Sequence, residues 1–183
     1  MKLKKFKFKK VKSTNNTAIR IIKETKYNFG MVIAETQANG RGQYGRKWIS
    51  SKGNLFVSFF NELNKVNLSI KAITKINCLL VKKLLSSFTS KKILFKEPND
   101  LLIDKKKICG ILQEVIFVRD KKFLITGIGI NIKKNPIIRN YPATNLQEVI
   151  KKSISKLTLE NKLKQLFEKI YLNCIKINNV YSW

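Results

Sequence analysis

Residues 93–131 read ILFKEPNDLLIDKKKICGILQEVIFVRDKKFLITGIGIN, and this stretch decides the fold. Runs rich in β-branched and aromatic side chains at 93–96, 101–104, 107–118 and 122–130 predict short strands. Asp104-Lys105-Lys106 and Arg119-Asp120-Lys121 fall at the hairpin turns between them. Strands joined by such tight turns pair antiparallel. Toward the N-terminus, Phe6, Phe8 and Lys10 alternate with lysines, which predicts a half-buried edge strand over 4–11. Ser13 or Thr14 then caps a helix carrying Ala18, Ile19, Ile22 and Lys26. Strands follow at 31–35 and 54–60, separated by an elaborate loop, 37–53, that holds four glycines and no apolar period. Ser69 opens a helix to Ser87 with Ile70, Ile73, Ile76, Leu80 and Leu84 expected to face inward. Leu159, Leu163, Leu166, Ile170, Cys174 and Ile177 mark a last amphipathic helix. The expectation is an α+β fold, a mixed, largely antiparallel sheet backed by helices, forming one domain over 1–183 without repeat or linker.

Composition narrows the chemistry. The 183 residues suffice for a full core, and 44% of them are hydrophobic, too many for a disordered basic tail. The chain has no histidine, so a Ser-His-Asp or Cys-His nucleophile site, a histidine zinc site and a histidine general base are all excluded within it. Catalysis would rest on Lys, Arg, Asp, Glu, amides and backbone. Thirty-eight Lys and Arg against 11 Asp and Glu leave a net charge of +27, yet only five of the 38 are arginine. A Lys-, Ile- and Asn-rich mixture fits an A+T-rich coding sequence better than a dedicated nucleic-acid surface, which leans on Arg for bidentate contacts. The field still favours anions. Cys78, Cys109 and Cys174 form no CxxC pair, which predicts free thiols in a reducing cytoplasm. MKLKKFKFKK has no apolar segment behind it, so it does not read as a signal peptide, and no apolar run reaches membrane-spanning length.

Four segments carry polar chemistry. Gly40-Arg41-Gly42-Gln43-Tyr44-Gly45-Arg46-Lys47-Trp48 reads as a phosphate cradle or an ordinary surface loop. It is neither a Walker loop nor a dinucleotide-binding glycine motif. Trp48 gives it an apolar anchor with which to fold over something. Pro98-Asn99-Asp100 suits a turn, and Lys107 beside the apolar run from Ile108 has an amine that can be held against the sheet. Gly127 and Gly129 alternate in a strand, which weakens it unless something must approach its face. Ser13-Thr14-Asn15 reads as a helix cap.

Taken in order, these segments resemble the biotin–protein ligase family. The resemblance rests on Ser13-Thr14-Asn15, Gln37, Gly40-Arg41-Gly42 through Arg46 and Trp48, Gly53-Asn54-Leu55, Ser58, Lys96, Pro98-Asn99-Asp100, Lys107, Gly110-Ile111-Leu112, Glu114, Gly127 through Asn131, and Ala143-Thr144-Asn145-Leu146. It covers nearly the whole chain and implies a fold like that of class II aminoacyl-tRNA synthetases and biotin ligases. It also implies ATP and biotin as substrates with Mg²⁺, biotinyl-5′-AMP as intermediate, and a lysine of a biotin carboxyl carrier domain as acceptor. By the resemblance Ser13, Thr14, Asn15, Gln37, Gly42, Gln43 and Gly110 bind biotin. Gly40, Arg46, Trp48, Asn99 and Asn131 lie on the nucleotide side. Lys107 and Arg41 meet carboxylate and phosphate, and Asp100 orients or deprotonates the acceptor lysine.

Three departures from the family pattern stand out. Gln43 replaces a second arginine, so adenylate retention is expected to weaken; Glu97 replaces a tryptophan of the pocket wall. Trp183 ends the chain about where the family continues into a small β-barrel-like domain, whose absence would affect turnover. Twelve residues before Ser13 are too few for a helix-turn-helix, so no specific DNA binding is expected, nor any membrane partner; a homodimer is compatible with the reading. The alternatives are a lipoate or octanoate ligase or transferase of the same fold, a basic nucleic-acid-binding module, and an inactive relative that keeps only a carrier-docking surface.

Overall fold

The structure, a computed structural model, describes residues 3–63, 69–138 and 141–180, with side chains described through Ile170. The elements are β1 (Lys4–Val11), α1 (Thr14–Glu24), β2 (Phe29–Gln37), β3 (Gly40–Arg41), β4 (Lys47–Trp48), β5 (Leu55–Glu62), α2 (Ile70–Ser86), β6 (Ile93–Lys96), β7 (Asp100–Ile103), β8 (Lys106–Val118), β9 (Lys121–Ile130), α3 (Leu146–Ile150) and α4 (Lys156–Val180). Seven strands form one sheet in the order β1-β2-β5-β9-β8-β7-β6. Every neighbouring pair is antiparallel except β1 and β2, which run parallel because α1 lies between them in the chain. The β7–β8 and β8–β9 turns place both central residues at positive φ, Asp104 and Lys105 at 48° and 61°, Arg119 and Asp120 at 50° and 61°. That conformation matches the twist of tight hairpins.

The two faces of the sheet differ. One carries the main core, where Met31, Leu55, Val57, Phe59, Cys109, Ile111, Ile128 and Ile130 meet α2 and α4. Phe167 of α4 stacks on Phe59 with ring centres 4.0 Å apart. On the other face α1 packs Ala18, Ile21 and Ile22 against Val32, Phe60, Phe123 and Ile125. Along this second face β9 reads Phe123, Ile125, Gly127, Gly129, because alternate residues share a side. Its bulky half is covered by α1 and its glycine half is left as a floor.

The inward face of α2 differs from the pattern expected. Ile73, Thr74, Asn77, Cys78, Val81 and Leu85 are buried, whereas Ile70 and Ile76 are exposed and Leu80 and Leu84 only partly covered. Ile73 is buried as expected, but the stripe is rotated away from Ile70 and Ile76, so that Thr74, Asn77 and Cys78 join Val81 and Leu85 on the sheet side, where Thr74 Oγ1 donates 2.5 Å to Gln113 Oε1 on β8. In α4, Leu159 and Leu163 are buried as expected, Leu166 and Ile170 are only partly covered, and Phe167, outside the expected stripe, is buried; the side chains of Cys174 and Ile177 lie outside the described residues. The strand expected over 31–35 runs the full length of β2, since β1 and β5 flank it on both sides.

Cys78 and Cys109 are buried free thiols. Burial, then the charge of Asp100, pushes Cys78 up from 9.0 to about 12, and burial raises Cys109 well above its ordinary value. Neither therefore forms thiolate at pH 8, and both should resist iodoacetamide in the native protein while reacting on unfolding, as mapped by mass spectrometry. Between pH 9 and about 12 the unfolded Cys78 thiol ionises and the folded one does not, so folding stability should decline across that window in urea titrations.

Candidate active site

The glycine floor belongs to two strands at once. Gly110 of β8 lies directly opposite Gly129 of β9, and Leu112 opposite Gly127. A Cβ on Gly110 would come within 2.7 Å of the Trp48 ring and one on Gly129 within 2.5 Å of it; on Gly127 it would meet Asn15 Oδ1 at 2.2 Å. Glycine is needed here because an indole and a carboxamide lie closer to the strand than any side chain permits.

Trp48 arrives from the segment read as a loop, which folds as a small hairpin. β3 pairs with β4, Gly40 opposite Trp48 and Arg41 opposite Lys47, and the Gly42 amide donates 2.7 Å to the Arg46 carbonyl. Its tip, Tyr44 and Gly45, takes positive φ of 54° and 72°. Gly40 is the exception among the expected nucleotide residues: it does not line the cleft, and a Cβ there would sit 2.5 Å from the Trp48 carbonyl oxygen. Its role is close backbone approach within the hairpin.

Lys107 reaches the floor through a bulge. Leu101 pairs with Cys109 but Leu102 pairs with Lys107, so Ile108 is the extra residue of β8. With regular alternation Lys107 would share the face of Cys109 and Ile111, inside the core. The bulge sends Ile108 into that core and turns Lys107 toward Gly110, whose added Cβ would meet the Lys107 Nζ at 3.1 Å. Lys107 is also tied by its backbone to the following segment, donating 2.8 Å to the Pro142 carbonyl and accepting 2.9 Å from the Thr144 amide.

Two charged networks face the cleft. Lys107 Nζ lies 2.6 Å from Asp100 Oδ1, and Tyr141 donates its hydroxyl 2.5 Å to Asp100 Oδ2. The ammonium sits over the rings of Trp48 and Tyr141, at 5.2 and 5.4 Å. Burial, together with the bond to Asp100 and its charge, pushes the Tyr141 phenol up to about 12, so it remains a donor throughout the neutral range. In the second network Glu114 Oε2 accepts from Arg41 Nη2 at 2.5 Å and from Asn15 Nδ2 at 2.7 Å. Ser58 Oγ bridges Asn15 Oδ1 at 2.5 Å and Thr14 Oγ1 at 2.8 Å, and the Thr14 amide donates 2.8 Å to Gln37 Oε1. Each arginine or lysine nearest the floor is thus held by one carboxylate. Arg41 Nε and Trp48 Nε1 are buried without an acceptor. Two such donors beside a cleft are ready for a ligand's oxygens.

Thr14, Asn15, Gln37, Arg41, Trp48, Asp100, Lys107 and Tyr141 line one cleft of about 740 Å³, while Ser58 and Glu114 brace it from behind its lining. Ser13, Thr14, Asn15, Gln37, Arg41, Gly42 and Gln43 are among its lining residues, as are Arg46, Trp48, Asn99, Asp100, Lys107, Gly110 and Asn131. Not all are free to act. Ser13 caps α1, Asn99 Nδ2 donates 2.7 Å to the Ile111 carbonyl, and Asn131 Nδ2 donates 3.1 Å to the Thr144 carbonyl. Asn54 Oδ1 accepts from the amides of Ile132, Lys133 and Lys134 and so fixes the chain after β9. Tyr141 was not anticipated: no local pattern marks it, and only folding brings it to Asp100. Glu114 and Ser58 are among the residues that carry the family resemblance, Ser58 alone in the apolar run of β5 and Glu114 beside Gln113 in β8. Among the described residues no three His, Cys, Asp or Glu groups gather as a metal cage.

Residues 7–131 match the family model described as the biotin/lipoate A/B protein ligase family. The chain is 33% identical over 124 residues to the bifunctional ligase/repressor BirA of Escherichia coli, spanning 67% of this chain and 38% of that protein. It is 28% identical over 167 residues to BirA of Bacillus subtilis, spanning 87% of this chain and 51% of that one. The chain thus spans about half or less of the length of these curated relatives. Among solved structures, the biotin protein ligase of Aquifex aeolicus in complex with biotin and ATP superposes with a TM-score of 0.75 at 30% identity, over 91% of this chain and 69% of that one. The Leishmania major enzyme in complex with biotinyl-5-AMP gives 0.76 at 25% identity, over 94% and 75%.

Asp100 is only 5% exposed, so Lys107→Ala should strand a buried carboxylate and lower unfolding free energy by about 3 kcal/mol, measured by urea denaturation. Gly127→Ala should cost about 1–3 kcal/mol, because Asn15 is held from two sides and cannot yield.

Proposed function

The chain belongs to the biotin/lipoate A/B protein ligase family, and from that premise we propose that it is an ATP-dependent biotin–protein ligase. The reading is carried by one observation: Lys107 and Arg41, brought from distant parts of the chain, face the same glycine-floored cleft. A biotin carboxylate oxygen attacks the α-phosphorus of ATP, the bond to the bridging oxygen breaks, and pyrophosphate leaves with that electron pair. An acceptor lysine, as free amine, then attacks the acyl carbon of biotinyl-5′-AMP; the amide bond forms, the acyl–phosphate bond breaks, and AMP departs while the amine's surplus proton passes to solvent.

What the protein must supply is charge and placement, since two anions meet and a phosphorus centre gains negative charge. Lys107 is positioned to bridge carboxylate and α-phosphate, exchanging Asp100 for them. Arg41 exchanges Glu114 for the same anions, and its unpaired Nε offers a further donor. Thr14, Asn15 and Gln37, already joined by hydrogen bonds, present amide and hydroxyl groups suited to the ureido ring, with Gly42, Gln43 and Gly110 beside it. From Glu114 to Gly110 the strand rises about 13 Å, which suits an extended ligand laid along the floor. Arg46 faces the triphosphate, Trp48 covers the adenine side, and Asn99 and Asn131 brace the nucleotide wall. The hairpin carrying Trp48 closes over the reactive anhydride and excludes water.

Asp100 and Glu114 belong to separate networks, and among the described residues no third carboxylate joins either, so they do not fit an independent Mg²⁺ cage. Mg²⁺ is assigned to ATP's own phosphate oxygens and water. The acceptor is assigned to the carrier domain of a biotin-dependent carboxylase, drawn by the chain's net charge of +27 if that domain is acidic.

Purified protein should incorporate labelled pyrophosphate into ATP only when biotin is present, and Lys107→Ala should abolish it. No exchange at saturating biotin and Mg·ATP rejects the reading; exchange driven by lipoate or octanoate in place of biotin selects the alternative acyl substrate. Association with an acidic carrier domain should slow steeply as salt rises, and a rate indifferent to ionic strength counts against electrostatic steering.

A further inference from the structure

The Asp100 carboxylate has two oxygens with different fates. Oδ1 faces the Lys107 ammonium at 2.6 Å and has no hydrogen-bond partner besides it. Oδ2 takes the Tyr141 hydroxyl at 2.5 Å. Lys107 must turn to the incoming carboxylate and phosphate for the ligase reading to work, and that movement strips Oδ1 of its cation. A buried carboxylate left without a cation is unfavourable. The next cation to enter the cleft in that reading is chemically the same group, the ammonium of an acceptor lysine, which gives up a proton to solvent before its free amine attacks.

We infer that Tyr141 is a positioning residue that anchors Asp100 through Oδ2 while Oδ1 changes partner, from Lys107 before the anions bind to the acceptor lysine afterwards. The inference rests on the proposed ligase function and deepens it. Tyr141 is suited to the task because its own segment is fixed to the strand that bears Lys107: the Pro142 carbonyl and Thr144 amide both bond the Lys107 backbone. Its ring lies under Lys96 and Lys107, at 5.3 and 5.4 Å, and the charge of Arg46 also acts on it. The hydroxyl is therefore the part that acts on Asp100, and the ring is the part that receives the cations. With its hydroxyl removed, the carboxylate is free to follow Lys107 or to rotate, and the acceptor amine meets no fixed oxygen.

Tyr141→Phe keeps the ring and removes the bond. In the full chain, biotin-dependent pyrophosphate exchange should then fall by less than about threefold, whereas single-turnover transfer from preformed biotinyl-5′-AMP to a carrier domain should fall about tenfold or more, the worth of one hydrogen bond to a charged group. In an Asp100→Asn background the same substitution should add nothing to the loss of transfer. An equal fall in both half-reactions, an unchanged transfer rate, or losses that multiply in the double variant would each overturn the inference. Wild-type exchange with normal transfer by Tyr141→Phe removes the inference alone; a wild type that performs neither half-reaction removes the ligase reading and the inference with it.

Discussion

A sheet face cannot be packed by a helix and open to a ligand at the same place, and this protein resolves the conflict along the length of single strands. Phe123 and Ile125 lie under α1, and two residues further on the same side of β9 becomes Gly127 and Gly129. The apolar half secures the helix whose first turn carries Thr14 and Asn15. The bare half receives Trp48 and Asn15. The position of the cleft is therefore tied to where side-chain volume stops.

Charge placement depends on that floor. An ammonium and a guanidinium beside a strand would repel each other and lose hydration unless each found a partner. Asp100 and Glu114 provide those partners, and both are held by further bonds, from Tyr141 and Asn15. The cations are thus held in place beside the floor, and a ligand anion that draws one of them away leaves a protein carboxylate without its cation. Preorganisation of this kind costs no reorganisation of solvent when the anions arrive.

Much of this was legible in the chain. The meander over 93–131, the helix caps at Ser13 and Ser69 and the final helix follow from periodicity and turn chemistry, which act between near neighbours. The residues that line the cleft were also recognisable as types in order, from Ser13 through Asn131. The inward face of α2 departs from the hydropathy pattern at Ile70 and Ile76, which look like core residues, while the core face of the sheet accommodates Asn77 and Cys78 beside Ile73. Packing partners, which a one-dimensional pattern does not contain, set that rotation.

Residue types and their order fix the inventory: no histidine, abundant lysine, glycines at alternating strand positions and one glycine-rich loop. These limit the chemistry because side-chain pKa values and backbone freedom are local properties. Only the tertiary structure decided which groups meet. The bulge at Ile108 turns Lys107 out of the core, Tyr141 reaches Asp100 across 41 residues, and Glu114 joins Arg41 to Asn15. Each of these depends on strand register or on contacts between remote segments, and a single-residue slip of β8 would send Lys107 and Glu114 to the opposite face.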